Sequence, residues 1–238
     1  MPEAVSLRYF DCRGRAQPLR DVLIDAGVEF QDDRVGIGPE WLGLKAETPF
    51  GALPVLLWGD QAIAQTLAIA NFLARQLGQY DGRSSAEIAR LEMLTSAAYL
   101  DLIQPIAELL WQWGAPSDEA GWRGWFAGYV QRLRARLAAF EALSPPGGQF
   151  FGGDAPAVAD YFLLEAVKEW RLILGDRLMG ALDACPRLTA MILTLEARAG
   201  ARGCLAAERR PTAFSGSPQD ARSLQALQAE ARRIAPDQ

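Results

Sequence analysis

Val5 to Phe10 sets apolar against polar side chains at alternate positions, the period of a half-buried strand. From Pro18 to Ala26 the period becomes helical, with Leu19, Val22, Leu23 and Ala26 on one face and Gly27 at the end. Val28 to Val35 predicts a second strand, and Pro39 opens a short helix carrying Trp41 and Leu44. Leu53 to Trp58 reads as a third strand, which Gly59-Asp60 turns into a fourth at Gln61 to Ala64. Thr66 to Leu77 is helical and stops at Gly78. The predicted order is β-α-β-α-β-β-α.

Asp81 to Ser85 is a polar, turn-rich joint, and beyond it the helical period dominates. Ser85 to Leu110 predicts one long amphipathic helix. After Gly114-Ala115-Pro116-Ser117 a second runs from about Asp118 to Leu143 and breaks at Pro145-Pro146-Gly147-Gly148. Further helices are expected over Val158 to Leu174 and Arg187 to Ala199. Ser217-Pro218 has the form of an N-cap with proline at the first helical position, ahead of a short terminal helix over Ala221 to Ile234. The expected division is an α/β domain at 1–81, a linker at 82–86, an all-α domain at 87–211 and a partly helical extension at 212–238.

Composition removes several kinds of chemistry. The chain has no histidine, which excludes Ser-His-Asp and Cys-His nucleophile systems, HExxH metal sites and histidine bases. A formal charge of −5 argues against a nucleic-acid footprint. No apolar run approaches the roughly 20 residues of a membrane span, and Met1 to Phe10 lacks the form of a signal peptide. Cys12, Cys185 and Cys204 give neither a disulfide framework nor metal spacing. The expectation is a cytoplasmic protein without metal, nucleic-acid or membrane partners. Gly36-Ile37-Gly38 begins like a dinucleotide fingerprint, but Trp41 stands in place of the third glycine.

Arg8-Tyr9-Phe10-Asp11-Cys12-Arg13-Gly14-Arg15-Ala16, Thr48-Pro49-Phe50-Gly51-Ala52-Leu53-Pro54-Val55-Leu56, Gln65-Thr66-Leu67-Ala68-Ile69-Ala70, Asp101, and Gly153-Asp154 through Asp160 follow one another in the order of the signature segments of cytosolic glutathione transferases. The chain resembles the tyrosine-using type, nearest the sigma, mu and pi classes. The resemblance implies a thioredoxin-like, glutathione-binding domain before the helical one, which would carry the electrophile pocket. It implies glutathione as co-substrate, a hydrophobic and aromatic electrophile, and a homodimer; a heterodimer with a similar chain stays open.

On this resemblance Tyr9 is the catalytic residue, its hydroxyl stabilising the glutathione thiolate. Leu53-Pro54 would form a cis-proline turn whose backbone pairs with the peptide's cysteine, and Gln65 and Thr66 would take the γ-glutamyl carboxylate at a helix start. Trp41 and Lys45 would hold the glycine carboxylate, and Asp101 would reach a glutamyl amine across the dimer interface. Arg13 and Arg15 read either as surface charges or as groups that steer the anion, with Arg15 also able to line the second pocket. Phe10, Cys12, Ala107 and Trp111 are the electrophile-pocket candidates. Taken singly, several have plainer readings: a trans proline loop, a helix aromatic, a solvated lysine, an ordinary N-cap. Ala52 and Ala157 depart from the pattern; the second removes a Ser/Thr cap worth about 1 kcal/mol, although Asp160 can still reach back to the cap backbone.

Three alternatives stand beside conjugation. Cys12, beside Arg13, suits a thiol transferase or reductase. Isomerisation and aryl-ether cleavage use the same cofactor chemistry. A crystallin-like or binding relative would not be catalytic. Trp111, Trp113, Trp122 and Trp125 bracket a helical hairpin as core or as pocket wall, and the terminal segment reads as dispensable for folding, either a cap over the electrophile pocket or a solvated tail.

Overall fold

The computed structural model describes residues 4–112, 114–145, 150–201 and 218–233. Trp113 and Cys204 lie outside them. Strands β1 (Val5–Phe10), β2 (Gln31–Val35), β3 (Val55–Trp58) and β4 (Gln61–Ala64) form one sheet in the order β2-β1-β3-β4. β1 runs parallel to β2 and antiparallel to β3, which pairs antiparallel with β4. The alternation in β1 buries Val5, Leu7 and Tyr9. Helices α1 (Gln17–Asp25), α2 (Pro39–Leu44) and α3 (Thr66–Leu77) complete the thioredoxin-like half. β2 begins three residues later than its apolar pattern suggests, because Val28 N–H is committed to the Leu23 carbonyl in closing α1.

The second half is helical: α4 (Ser85–Ala97), α5 (Gln104–Trp111), α6 (Glu119–Leu143), α7 (Val158–Leu174), α8 (Asp176–Asp183), α9 (Pro186–Ala201) and α10 (Pro218–Ala231). The expected single helix over 85–110 is continuous in space, but a π turn at Ala98–Ile103 interrupts it. Pro105 has no N–H to return to the preceding turn, so the ladder widens there and Gln104 N–H bonds the Tyr99 carbonyl five residues back. α7 is the central helix, packed against α1, α4, α10 and the π turn. Its buried face includes Tyr161, Phe162, Trp170 and two glutamates, Glu165 and Glu169.

One reading changes, and one holds. The terminal helix is a docked layer, not a solvated tail. Leu227 and Ala231 are buried where α10 meets α5 and α7. Gln228 Nε2 bonds the Leu172 carbonyl at 2.7 Å and Arg177 Nη2 the Arg232 carbonyl at 2.6 Å. At the start of α7, Ala157 offers no side-chain acceptor. Asp160 supplies the return half of the cap, accepting from Ala157 N–H at 2.7 Å and Phe151 N–H at 3.0 Å.

Candidate active site at the end of the first strand

Tyr9 is the last residue on the buried face of β1, one before its end at Phe10, and the chain then wraps around its hydroxyl. Gly14, at φ +39°, brings the backbone so close that a β-carbon there would lie 2.5 Å from Tyr9 Oη. That approach lets Arg15 N–H donate to Tyr9 Oη at 3.1 Å. Burial, with the Cys12 side chain nearby, pushes the phenol well above its ordinary pKa, against the lowering effect of the Arg15 N–H. The hydroxyl therefore keeps its proton across the physiological range. Arg20 lies under the ring, its guanidinium carbon 5.8 Å from the centroid.

The loop that grips Tyr9 is fixed on several sides. Arg20, fully buried, donates to the Cys12 carbonyl at 2.7 Å and to Asp32 at 2.9 Å. Arg13 is neither a surface charge nor an anion-steering group. It is enclosed against α7, at 2.7 Å from Glu165 Oε2 and 2.6 Å from Glu169 Oε1. Arg15 reaches the helical half, its Nη2 donating to Gln104 Oε1 at 3.2 Å.

The remaining candidates surround this point unevenly. Phe10 stands edge-on to both Tyr9 and Trp41, with ring centroids 5.5 Å apart in each case. Lys45 is exposed, its stem against Gly51. The Leu53-Pro54 peptide is cis, and both residues are buried at the entry to β3. Gln65 occupies φ 73°, ψ 121° at the N-cap of α3, followed by buried Thr66. A non-glycine residue in that region is uncommon and persists only where the surrounding structure holds it. Asp101 faces α6, where its carboxylate meets Arg136 Nε at 3.0 Å.

Of the pocket candidates, Phe10 and Trp111 are half-buried, whereas Cys12 and Ala107 are buried in the core. The charge expected to activate Cys12 is already committed, since Arg13 is neutralised by two carboxylates. Gln104, Ala107, Glu108 and Trp111 follow helical spacing on one face of α5, and Tyr129 Oη donates to Glu108 Oε2 at 2.5 Å. Trp122, Trp125, Phe126 and Tyr129 pack ring against ring along α6. Sequence reasoning missed Gln104, whose only signal was its place on the Ala107 and Trp111 face. Among the described residues, no group of three or more Cys, Asp or Glu is placed to hold a metal ion, and no helix is long and apolar enough to cross a membrane.

Residues 5–75 match the family model for the glutathione S-transferase N-terminal domain. Over most of its length the chain is similar to glutathione S-transferase P of Pongo abelii, at 33% identity covering 83% of this chain and 90% of that protein. It is also similar to S-crystallin 2 of Enteroctopus dofleini, at 31% identity over 65% and 75%. Among solved structures, the Pi-class glutathione S-transferase of Onchocerca volvulus superimposes with a TM-score of 0.69 at 29% identity, covering 85% of this chain and 90% of that one. The strand-one tyrosine, the thioredoxin-like sheet and the helical half occur together in a chain that belongs to the glutathione S-transferase family.

Proposed function

We propose that this chain transfers glutathione, presented as a thiolate by Tyr9, to a hydrophobic and flat aromatic electrophile. The observation that carries the reading is the hydrogen bond from Arg15 N–H to Tyr9 Oη. A phenol is both donor and acceptor. With one acceptor site taken by the Arg15 N–H and the proton firmly held, the hydroxyl can donate its O–H, which stabilises a sulfur anion more than a neutral thiol.

The other roles follow the same chemistry. The backbone at Leu53 pairs with the cysteine unit of glutathione, and Gln65 and Thr66 at the start of α3 take the γ-glutamyl carboxylate. Trp41 and Lys45 hold the glycine carboxylate, while Arg15 adds positive charge near the sulfur. Phe10 and Trp111 wall the electrophile pocket with Ala107 between them, and buried Cys12 supports the loop beneath. Two copies complete the sites: Phe50, 70% exposed, docks beside Met93 and Leu100, each 51% exposed, on the other copy. Asp101, with a carboxylate oxygen beyond the one on Arg136, then meets the glutamyl amine across that interface. The compartment of such chemistry is the cytoplasm.

Retention on immobilised glutathione, followed by conjugation assays against a panel of activated aromatic electrophiles, tests the reading. A retained protein that conjugates supports it. A retained protein without turnover on any electrophile would mark a binding relative, and a protein that is not retained would overturn the glutathione site itself. Sedimentation showing a monomer with full glutathione affinity would contradict the shared interface.

A further inference from the structure

One residue of the helical half holds the arginine that lies beside the Tyr9 hydroxyl. Arg15 Nη2 donates to Gln104 Oε1 at 3.2 Å, across 89 positions of sequence. The Arg15 charge acts on the Tyr9 hydroxyl in the direction that favours an anion there, and the same field favours a sulfur anion bound at that point. A loose arginine side chain samples many rotamers, and fixing it in advance removes that cost from the reacting complex.

The fold also has a device that aims Gln104. An α-helix turns about 100° per residue, so the extra residue accommodated by the π turn at Ala98–Ile103 rotates all of α5 relative to α4. Pro105 forces the widening, and the Trp170 indole N–H of α7 takes up the Leu102 carbonyl at 3.0 Å. The face bearing Gln104, Ala107 and Trp111 begins immediately after this turn.

We infer that Gln104 is a positioning residue for thiolate formation, fixing the Arg15 guanidinium beside the sulfur from across the interface between the two halves. The inference rests on the Tyr9 reading above. Gln104→Met keeps the volume and removes the acceptor. It should raise the pKa of bound glutathione and lower kcat/KM at neutral pH by roughly three- to tenfold, the scale of one ordinary hydrogen bond. The loss should vanish at alkaline pH, and KM for glutathione should hold within about twofold. Gln104→Glu keeps an acceptor but neutralises Arg15, so it should raise the thiol pKa at least as far. On an Arg15→Met background, Gln104→Met should add nothing further.

A pH profile unchanged in Gln104→Met, or effects that add fully in the double variant, would overturn the inference, because a packing role lowers activity equally at every pH. Tyr9→Phe, titrated in parallel, separates the two levels of the account. If Tyr9→Phe is silent the underlying reading fails; if Tyr9→Phe shifts the thiol and Gln104→Met does not, only the role of Gln104 fails.

Discussion

A β-carbon on Gly14 would lie 2.5 Å from Tyr9 Oη and 3.0 Å from a ring carbon. The glycine is required both for its positive φ and for that close approach. Gly14→Ala should therefore displace the hydroxyl from the Arg15 N–H. The expected result is at least a tenfold loss of turnover, together with roughly 1–2 kcal/mol of destabilisation from the left-handed backbone. Glutathione affinity should change little, since Trp41, Gln65 and Thr66 lie on other elements. Steady-state kinetics and denaturant unfolding on the same variant check both parts. At this scale the sequence was informative about types and silent about partners: the Arg-Gly-Arg run was plain, but which arginine reached Gln104 and which faced α7 depended on residues far along the chain.

At the start of α7 the local pattern holds. Ala157 predicts a missing side-chain cap and Asp160 a reach back to the cap backbone, and Asp160 bonds two backbone N–H groups there. Complete burial pushes the Asp160 carboxyl up to about 7 from 3.8, with the N–H groups of Phe151 and Ala157 opposing. The folded state then holds a proton that the unfolded state releases. This contribution to stability is full below the unfolded value and is lost as pH rises toward the folded one. Thermal unfolding from pH 4 to 8 should show that decline, and Asp160→Asn should flatten it while lowering stability throughout. An unaltered slope in the variant would contradict the assignment. Strands and most helices were legible because their periods are long and clean. The π turn was missed although Pro105 announced a break, since whether a proline ends, kinks or widens a helix is decided by its neighbours, here Trp170 of α7. α8 and the docking of α10 were missed for the same reason: short amphipathic helices are marginal alone and take their place from packing.

Between the two halves several of the ties are ionic and at least half-buried. Arg13 bonds Glu165 from 152 positions away and pairs with Glu169. At the C-terminal end of α1, Asp25 accepts from Tyr80 Oη at 2.7 Å and from Arg198 at 2.8 Å. Removing Arg13 takes the guanidinium away from two buried carboxylates, and breaking buried pairs of this kind costs about 3–5 kcal/mol. Arg13→Met should lower unfolding stability by that order in denaturant titrations, and it should loosen the Tyr9 loop enough to reduce activity in the protein that remains folded. Stability within about 0.5 kcal/mol of the parent would show the pair to be incidental. The two-part architecture could be read from the change of period at Asp81, but nothing local to Arg13 distinguishes a surface charge from the bolt between the halves.

The central claim is that a protonated Tyr9 holds the glutathione sulfur as an anion. A free thiol has a pKa near 8.5, and a hydrogen bond to a charged group contributes roughly 1.5–3 kcal/mol, about one to two pKa units. Ultraviolet titration of the thiolate in the binary complex measures this directly. The account predicts a bound thiol about one to two units below the free value, and a return toward that value in Tyr9→Phe with glutathione affinity retained. A bound thiol that titrates like free glutathione, or one whose depressed pKa survives in Tyr9→Phe, would contradict it.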